Sequence, residues 1–195
     1  MIKKIVLIFT IIFSVKSYSQ DPAFTQSFMV PETINPSFSG FYQTTKAGLL
    51  YKNQQWSGFD FNLNSQYIYF DDWYPDLNSG IGISLMNHQE TFTNYSLKQL
   101  NLSWAYDVQI NYDWHFRPSI TFGFAAKDFG FDNLLFEDQI NIYQNIINSN
   151  SYDPVAFEEN ARYMDIGASF LFNNDNHWIG ITLRHLNKPN VSMVS

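Results

Sequence analysis

From Tyr112 to Lys127 the chain sorts by parity. Tyr112, Trp114, Phe116, Pro118, Ile120, Phe122, Phe124 and Ala126 hold the even positions, and Asp113, His115, Arg117, Ser119, Thr121, Gly123, Ala125 and Lys127 the odd ones. In extended backbone successive side chains point to opposite faces, so a two-residue period marks a strand with one apolar and one polar face. Leu100, Leu102, Trp104 and Tyr106 likewise oppose Asn101, Ser103, Ala105 and Asp107. Ile81, Ile83 and Leu85 oppose Gly80, Gly82 and Ser84, and Met164, Ile166, Ala168, Phe170 and Phe172 oppose Tyr163, Asp165, Gly167, Ser169 and Leu171. Ile179, Ile181 and Leu183 oppose Gly180, Thr182 and Arg184, while 46–52 and 61–70 alternate less cleanly. The pattern predicts seven antiparallel strands, at 46–52, 61–70, 79–88, 95–107, 112–127, 161–172 and 177–186, and an all-β fold. One helical turn is expected at Asn141–Ile147. Pro118 has no N–H to donate, so a bulge or weakened pairing is expected beside it.

The links at 108–111 and 173–176 are short, and 128–160 is long and rich in Asp and Asn; the links at 71–78, 108–111 and 173–176 fall at one end of the strands, and those at 53–60, 89–94 and 128–160 at the other. Short turns at one end and longer loops at the other are the pattern of an outer-membrane barrel, with the short turns in the periplasm. A loop as long as 128–160 is also hard to accommodate in a compact soluble domain. The strands at 95–107 and 112–127 meet or exceed the 9–11 residues that a tilted span needs. Tyr67, Tyr69, Trp73, Tyr74, Trp104, Tyr106, Tyr112, Trp114 and Trp178 lie near strand ends, where a headgroup belt of amphipathic rings would sit. In hydrocarbon every backbone N–H and C=O must be paired, which strands achieve only by closing into a barrel. The expectation is therefore an antiparallel transmembrane β-barrel with apolar residues in lipid and their neighbours lining a polar interior. A secreted soluble β-sandwich that binds glycans through Trp and Tyr is the alternative the alternation leaves open.

Composition supports the barrel. Aromatics make up 18% of the chain and charged residues only 15%, a low charge for a soluble surface. Residues 1–19 read as a signal peptide: Lys3 and Lys4 precede an apolar run from Ile5 to Val15, and Ser17-Tyr18-Ser19 is a small-x-small cleavage site. Without Lys3, Lys4 and Lys16 the mature chain keeps 8 basic and 18 acidic residues, a net charge of −10, which argues against a nucleic-acid partner. There is no cysteine, so neither disulfides nor thiolate metal sites are available.

No catalytic constellation emerges, and no enzyme activity, cofactor or metal is expected. His88, His115, His177 and His185 fall at no metal-ligand spacing. Asp71-Asp72 and Glu158-Glu159 read as solvated loop charge, since adjacent residues in extended chain point apart. Asp128, Asp132, Glu137, Asp138 and Asp153 lack the spacing of a calcium loop, and the sequons at Asn94, Asn101 and Asn190 are chance matches.

Four segments carry a resemblance. Residues 20–40 read QDPAFTQSFMVPETINPSFSG, with Gln20, Asp21, Pro22, Phe24, Gln26, Asn35, Pro36 and Gly40 at the marked positions. Residues 51–59 read YKNQQWSGF, with Tyr51, Gln55, Trp56, Gly58 and Phe59. Together with 80–87 and 178–189, these resemble, in the same order, the PorP/SprF family of outer-membrane proteins from the Bacteroidetes type IX secretion and gliding system. Met29-Val30-Pro31 departs from the Asn-Pro pair usual in that family, and 51–59 carries one extra Gln. The resemblance implies a non-enzymatic outer-membrane protein that helps export or anchor surface cargo such as adhesins. Its partners would be outer-membrane lipid, the secretion and gliding machinery and the cargo. Three regions are expected: the signal peptide at 1–19, a Pro-rich periplasmic or lumenal segment at 20–45, and the barrel at 46–195. Because family members are longer and seven strands leave an open edge, the barrel is expected to be incomplete at its C-terminus. A diffusion porin with an open, conducting lumen is the other function in view.

Overall fold

A computed structural model of the chain describes residues 28–55, 62–130, 135–141, 146–148, 151 and 160–191. The strands are β1 (Lys46–Gln55), β2 (Asn62–Tyr74), β3 (Ser79–Glu90), β4 (Ser96–Tyr106), β5 (Val108–Gln109), β6 (His115–Asp128), β7 (Ile140–Asn141), β8 (Ile146–Ile147), β9 (Asn160–Asn173) and β10 (Trp178–Leu183). All but β7 and β8 form one curled antiparallel sheet in the order β1-β2-β3-β4-β6-β9-β10, with β5 beside β6. The described strands thus form one main sheet, with no second sheet packed across it as a sandwich would require.

Parity decides which face each residue takes. On β6 the even residues Ile120, Phe122 and Phe124 are 42%, 47% and 53% exposed, whereas the odd residues Arg117, Ser119 and Ala125 are 1%, 4% and 5% exposed. Registered pairing carries this across the sheet. Ile68, Leu85, Leu100, Phe124 and Met164 stand side by side as an outward apolar row on five neighbouring strands. Inward, Val30 packs with Tyr67, Met86, Leu97 and Ala125 to form a small core between the sheet and the segment that precedes β1.

Several expectations change. Tyr112 to Trp114 are a turn rather than strand, because the Asn111 side chain accepts from the N–H of Asp113 and Trp114. The β2 ladder runs on to Tyr74, so Asp71 and Asp72 are strand residues and not loop charge; Asp71 points inward and is 2% exposed. Tyr67, Tyr69 and Trp73 share that inward parity, and Tyr67 is 7% exposed, so these rings serve the interior and not a headgroup belt. The helical turn expected at 141–147 is replaced at both ends by the β7–β8 ladder, in which Ile140 pairs with Ile147; residues 142–145 lie outside the described residues.

Pro118 breaks pairing on one side only. The β6–β9 register is continuous through Pro118↔Phe170. The β4–β6 register ends at Ala105↔Ser119, and the β5–β6 register resumes at Val108↔Phe116 with the same offset. β4 and β5 are therefore one strand interrupted at Tyr106 and Asp107, which stand opposite the residue that has no N–H and its neighbour Arg117.

Candidate functional site: a strap bound to the inner face

Residues 30–40 lie along the inner face as a strap built from two 3-10 turns, Pro31–Thr33 and Pro36–Phe38. Each turn begins with proline, whose fixed φ and missing N–H suit a first turn position. Asn35 caps the second turn: its side-chain oxygen accepts from Ser37 N at 2.9 Å, while its Nδ2 donates to the Phe170 carbonyl at 3.1 Å. Gly40 closes the strap at φ +64°, a conformation that suits glycine, and a Cβ there would lie 2.6 Å from Gly80 Cα.

The strap bonds to strand after strand. Ser37 Oγ lies 3.2 Å from Ser119 Oγ and 2.9 Å from Ser169 Oγ, on register partners of β6 and β9. Ser39 Oγ meets Ser103 Oγ at 2.7 Å, and Gly40 N donates to Asp71 Oδ1 at 2.9 Å. Thr182 donates to the Ile34 carbonyl at 2.9 Å, and Arg184 to the Thr33 carbonyl at 2.6 Å. Small inward residues make room: a Cβ on Gly80 would sit 1.9 Å from the Ser39 carbonyl oxygen, and one on Gly180 2.5 Å from Asn35 Nδ2.

Arg117 is the centre of this arrangement. It donates from Nε to the Ser37 carbonyl (3.1 Å), from Nη2 to the Ser39 carbonyl (2.9 Å) and from Nη1 to Asp107 Oδ2 (2.7 Å). Its guanidinium carbon lies 5.6 Å from the Phe41 ring centre and 5.3 Å from that of Trp73. A buried cation is tolerable because a carboxylate, two carbonyls and two rings replace its water. Asp107 also faces His115 Nδ1 at 2.8 Å.

A second charged group lies farther along the strap. The Glu32 carboxyl lies buried near Asp71 and Lys46. Burial pushes the Glu32 carboxyl up from its ordinary 4.5 to about 7, and the neighbouring Asp71 charge adds to the rise while Lys46 opposes it. Between strap and sheet lies a cavity of about 100 Å³, lined among others by Glu32, Asp71, Asn101, Thr121, Asp165 and Arg184. The arrangement can hold a strap in place, but it does not assemble a nucleophile, base and oxyanion site.

A family model described as type IX secretion system membrane protein PorP/SprF matches residues 16–195. The chain belongs to the PorP/SprF family. No curated protein and no solved structure matches it. As a PorP/SprF membrane protein, it carries a curled antiparallel sheet of the kind that builds a transmembrane β-barrel, with the apolar rows on its outer face and the strap along its inner face.

Of the signature residues in this PorP/SprF chain, Asn35, Pro36 and Gly40 come together in the strap, as its cap, turn start and close-approach glycine. Gln20, Asp21, Pro22, Phe24 and Gln26 lie outside the described residues, as do residues 1–19. Tyr51 is not gathered with them: it faces outward from β1, 58% exposed, with its hydroxyl donating to Asn64 Oδ1 at 3.2 Å. Gln55 is the exposed last residue of β1, and Trp56, Gly58 and Phe59 lie outside the described residues. The loop carboxylates are dispersed. Asp128 accepts from Ser96 and Asp138 from Ser151, while Asp132 and Asp153 lie outside the described residues. His88 bonds Ser65 and His185 faces Asp165, at separate places on the inner side.

Sequence reasoning missed Arg117, Asp71 and the serines as strap holders. A signal was present for Arg117: it is the one arginine among the small and polar odd residues of β6, next to the proline that interrupts its neighbour.

Proposed function

We propose that the chain is an outer-membrane component of type IX secretion that helps export or anchor surface cargo such as adhesins. In this reading the short turns and strap-anchoring end face the periplasm, and the longer connections face outside. The strap at 30–40 links the barrel to the periplasmic secretion and gliding machinery. The single observation that carries this is the tie between strap and wall. Arg117, Asp71 and the serines fix one short segment to β2, β4, β6 and β9, so a partner that engages the segment is mechanically coupled to the barrel. A diffusion porin fits less well, because the strap occupies the interior at the short-turn end. No catalytic step is assigned.

The test is a deletion strain scored for surface cargo, complemented with the wild-type gene and with Arg117→Met. Loss of surface cargo on deletion, with the wild-type protein found in the outer-membrane fraction, supports the reading. Normal surface cargo in the deletion strain, or a protein that is soluble without detergent, overturns it.

A further inference from the structure

On the outward face, toward the strand ends that lead into the longer connections, a groove of about 620 Å³ crosses the sheet from β2 to β9. Its floor is the apolar row Ile68, Leu85, Leu100, Phe124 and Met164. Five adjacent strands give this floor a width of about 19 Å, at about 4.8 Å per strand spacing. Two residues closer to the long connections the character changes. There Lys98 and Arg162 both pair with Ala126, one from each side, on the same outward face. Their Cα atoms are two strand spacings apart, about 10 Å, and the Ala126 methyl between them leaves that space open.

These two residues are the only cations on the outward face of the described strands; Lys46, Lys52, Arg117 and Lys127 have inward parity. Neither Lys98 nor Arg162 has a hydrogen-bond or ion-pair partner among the described residues. Next to Lys98, Asn87 Oδ1 is buried without a partner and lines the same groove. A cation at a membrane boundary can snorkel singly. Two unpaired cations flanking a gap above an apolar floor form a more specific pattern, since long side chains from both sides can meet one anion. An arginine fork and a lysine suit phosphate oxygens, and the floor suits several acyl chains side by side.

We propose that this groove binds a phosphate-bearing, multiply acylated glycolipid of the outer leaflet, with acyl chains on the apolar row and phosphate between Lys98 and Arg162. The breadth of the floor favours a lipid with several chains over a two-chain phospholipid. The proposal rests on the outer-membrane reading given above, which places the long-connection end in the outer leaflet.

The test uses the full chain purified from outer membranes in mild detergent, stripped of lipid and titrated with lipid A, with dephosphorylated lipid A, and with phosphatidylglycerol. The wild type is expected to hold lipid A about tenfold more tightly than the dephosphorylated form, the size of one charge-assisted contact. Lys98→Gln with Arg162→Gln should abolish that preference, and Lys98→Arg with Arg162→Lys should retain it. Both positions are exposed, and retention of the folded, heat-modifiable form checks the variants. If the glutamine variant keeps the wild-type preference, or phosphatidylglycerol binds as tightly as lipid A, the proposal is wrong while the outer-membrane reading stands. If the wild type does not fractionate with the outer membrane, both fall.

Discussion

Arg117 Nη1 lies 2.7 Å from Asp107 Oδ2 at the point where the ladder between their strands is broken. The two residues oppose each other in register on the inner face, and Pro118 next to Arg117 supplies no N–H to close the gap. The loss of ladder bonds coincides with the place where the wall grips the strap. Arg117 then reaches two strap carbonyls with the donors that Asp107 does not use.

Replacing Arg117 with methionine keeps much of the volume and removes every donor. Asp107 would be left largely buried beside His115 alone, a kind of loss that costs about 3–5 kcal/mol. The expected outcome is a strap cut rapidly by protease at 28–45 and a lower unfolding temperature. Arg117→Lys should rescue only partly, because one ammonium cannot span the fork. Wild-type protease resistance in Arg117→Met would show that the strap is held by other contacts.

Gly80 and Gly48 offer a contrast. An alanine methyl at Gly80 meets strap backbone, 1.9 Å from the Ser39 oxygen, whereas one at Gly48 meets the Tyr69 ring, 2.5 Å away. Backbone on both sides cannot yield, but a ring edge can rotate. Gly80→Ala should displace the strap and destabilise by about 1–3 kcal/mol, the range for overpacking, with Gly48→Ala much milder. Strap protection measured by hydrogen exchange in both variants checks the order.

The seven-strand pattern and its facing were legible because the inner wall holds small and polar residues while the outer one holds large apolar ones. A 180° period survives that contrast even where strand ends were misplaced. Asp71 and Asp72 fall just past the strand expected at 61–70 and so read as loop charge in the sequence. Asp71 is accommodated by the Gly40 N–H, a contact that depends on a chain reversal no local pattern encodes. Asn35 and Gly40 were marked only by resemblance. Their physical roles depend on Phe170 and Gly80, far away in sequence, so local periodicity could not reveal them. Tyr67, Tyr69 and Trp73 were misassigned because amphipathic rings suit a headgroup belt and a crowded polar interior equally well.

The Glu32 carboxyl gives the strap a pH dependence with a definite sign. Its value is raised in the folded state from 4.5 to about 7, so docking favours its protonated form. Asp71, Lys46, Tyr67 and Tyr69 are the titratable groups that interact with it, and Arg184 lines the same cavity. The contribution is full below pH about 4.5 and is lost as pH rises through about 7. Strap protection should therefore fall between pH 5 and pH 8, and Glu32→Gln should flatten the change. A wild-type profile that rises over that interval would reverse the assigned protonation.

With Phe38 buried and Arg117 holding Ser37 and Ser39, the interior at the short-turn end is filled. Planar-bilayer recordings of the wild type should show little conductance, and Gly80→Ala combined with Arg117→Met should raise it. Large steady conductance from the wild type would favour the diffusion-porin alternative.

In a barrel wall the even and odd residues of β6 meet different surroundings. The chain has no cysteine, so single labels at Phe122→Cys and Thr121→Cys report without background. Spin labels in reconstituted bilayers should find oxygen-rich lipid at 122 and a shielded polar interior at 121. Equal accessibility to oxygen and to a water-soluble relaxing agent at the two sites would contradict the account.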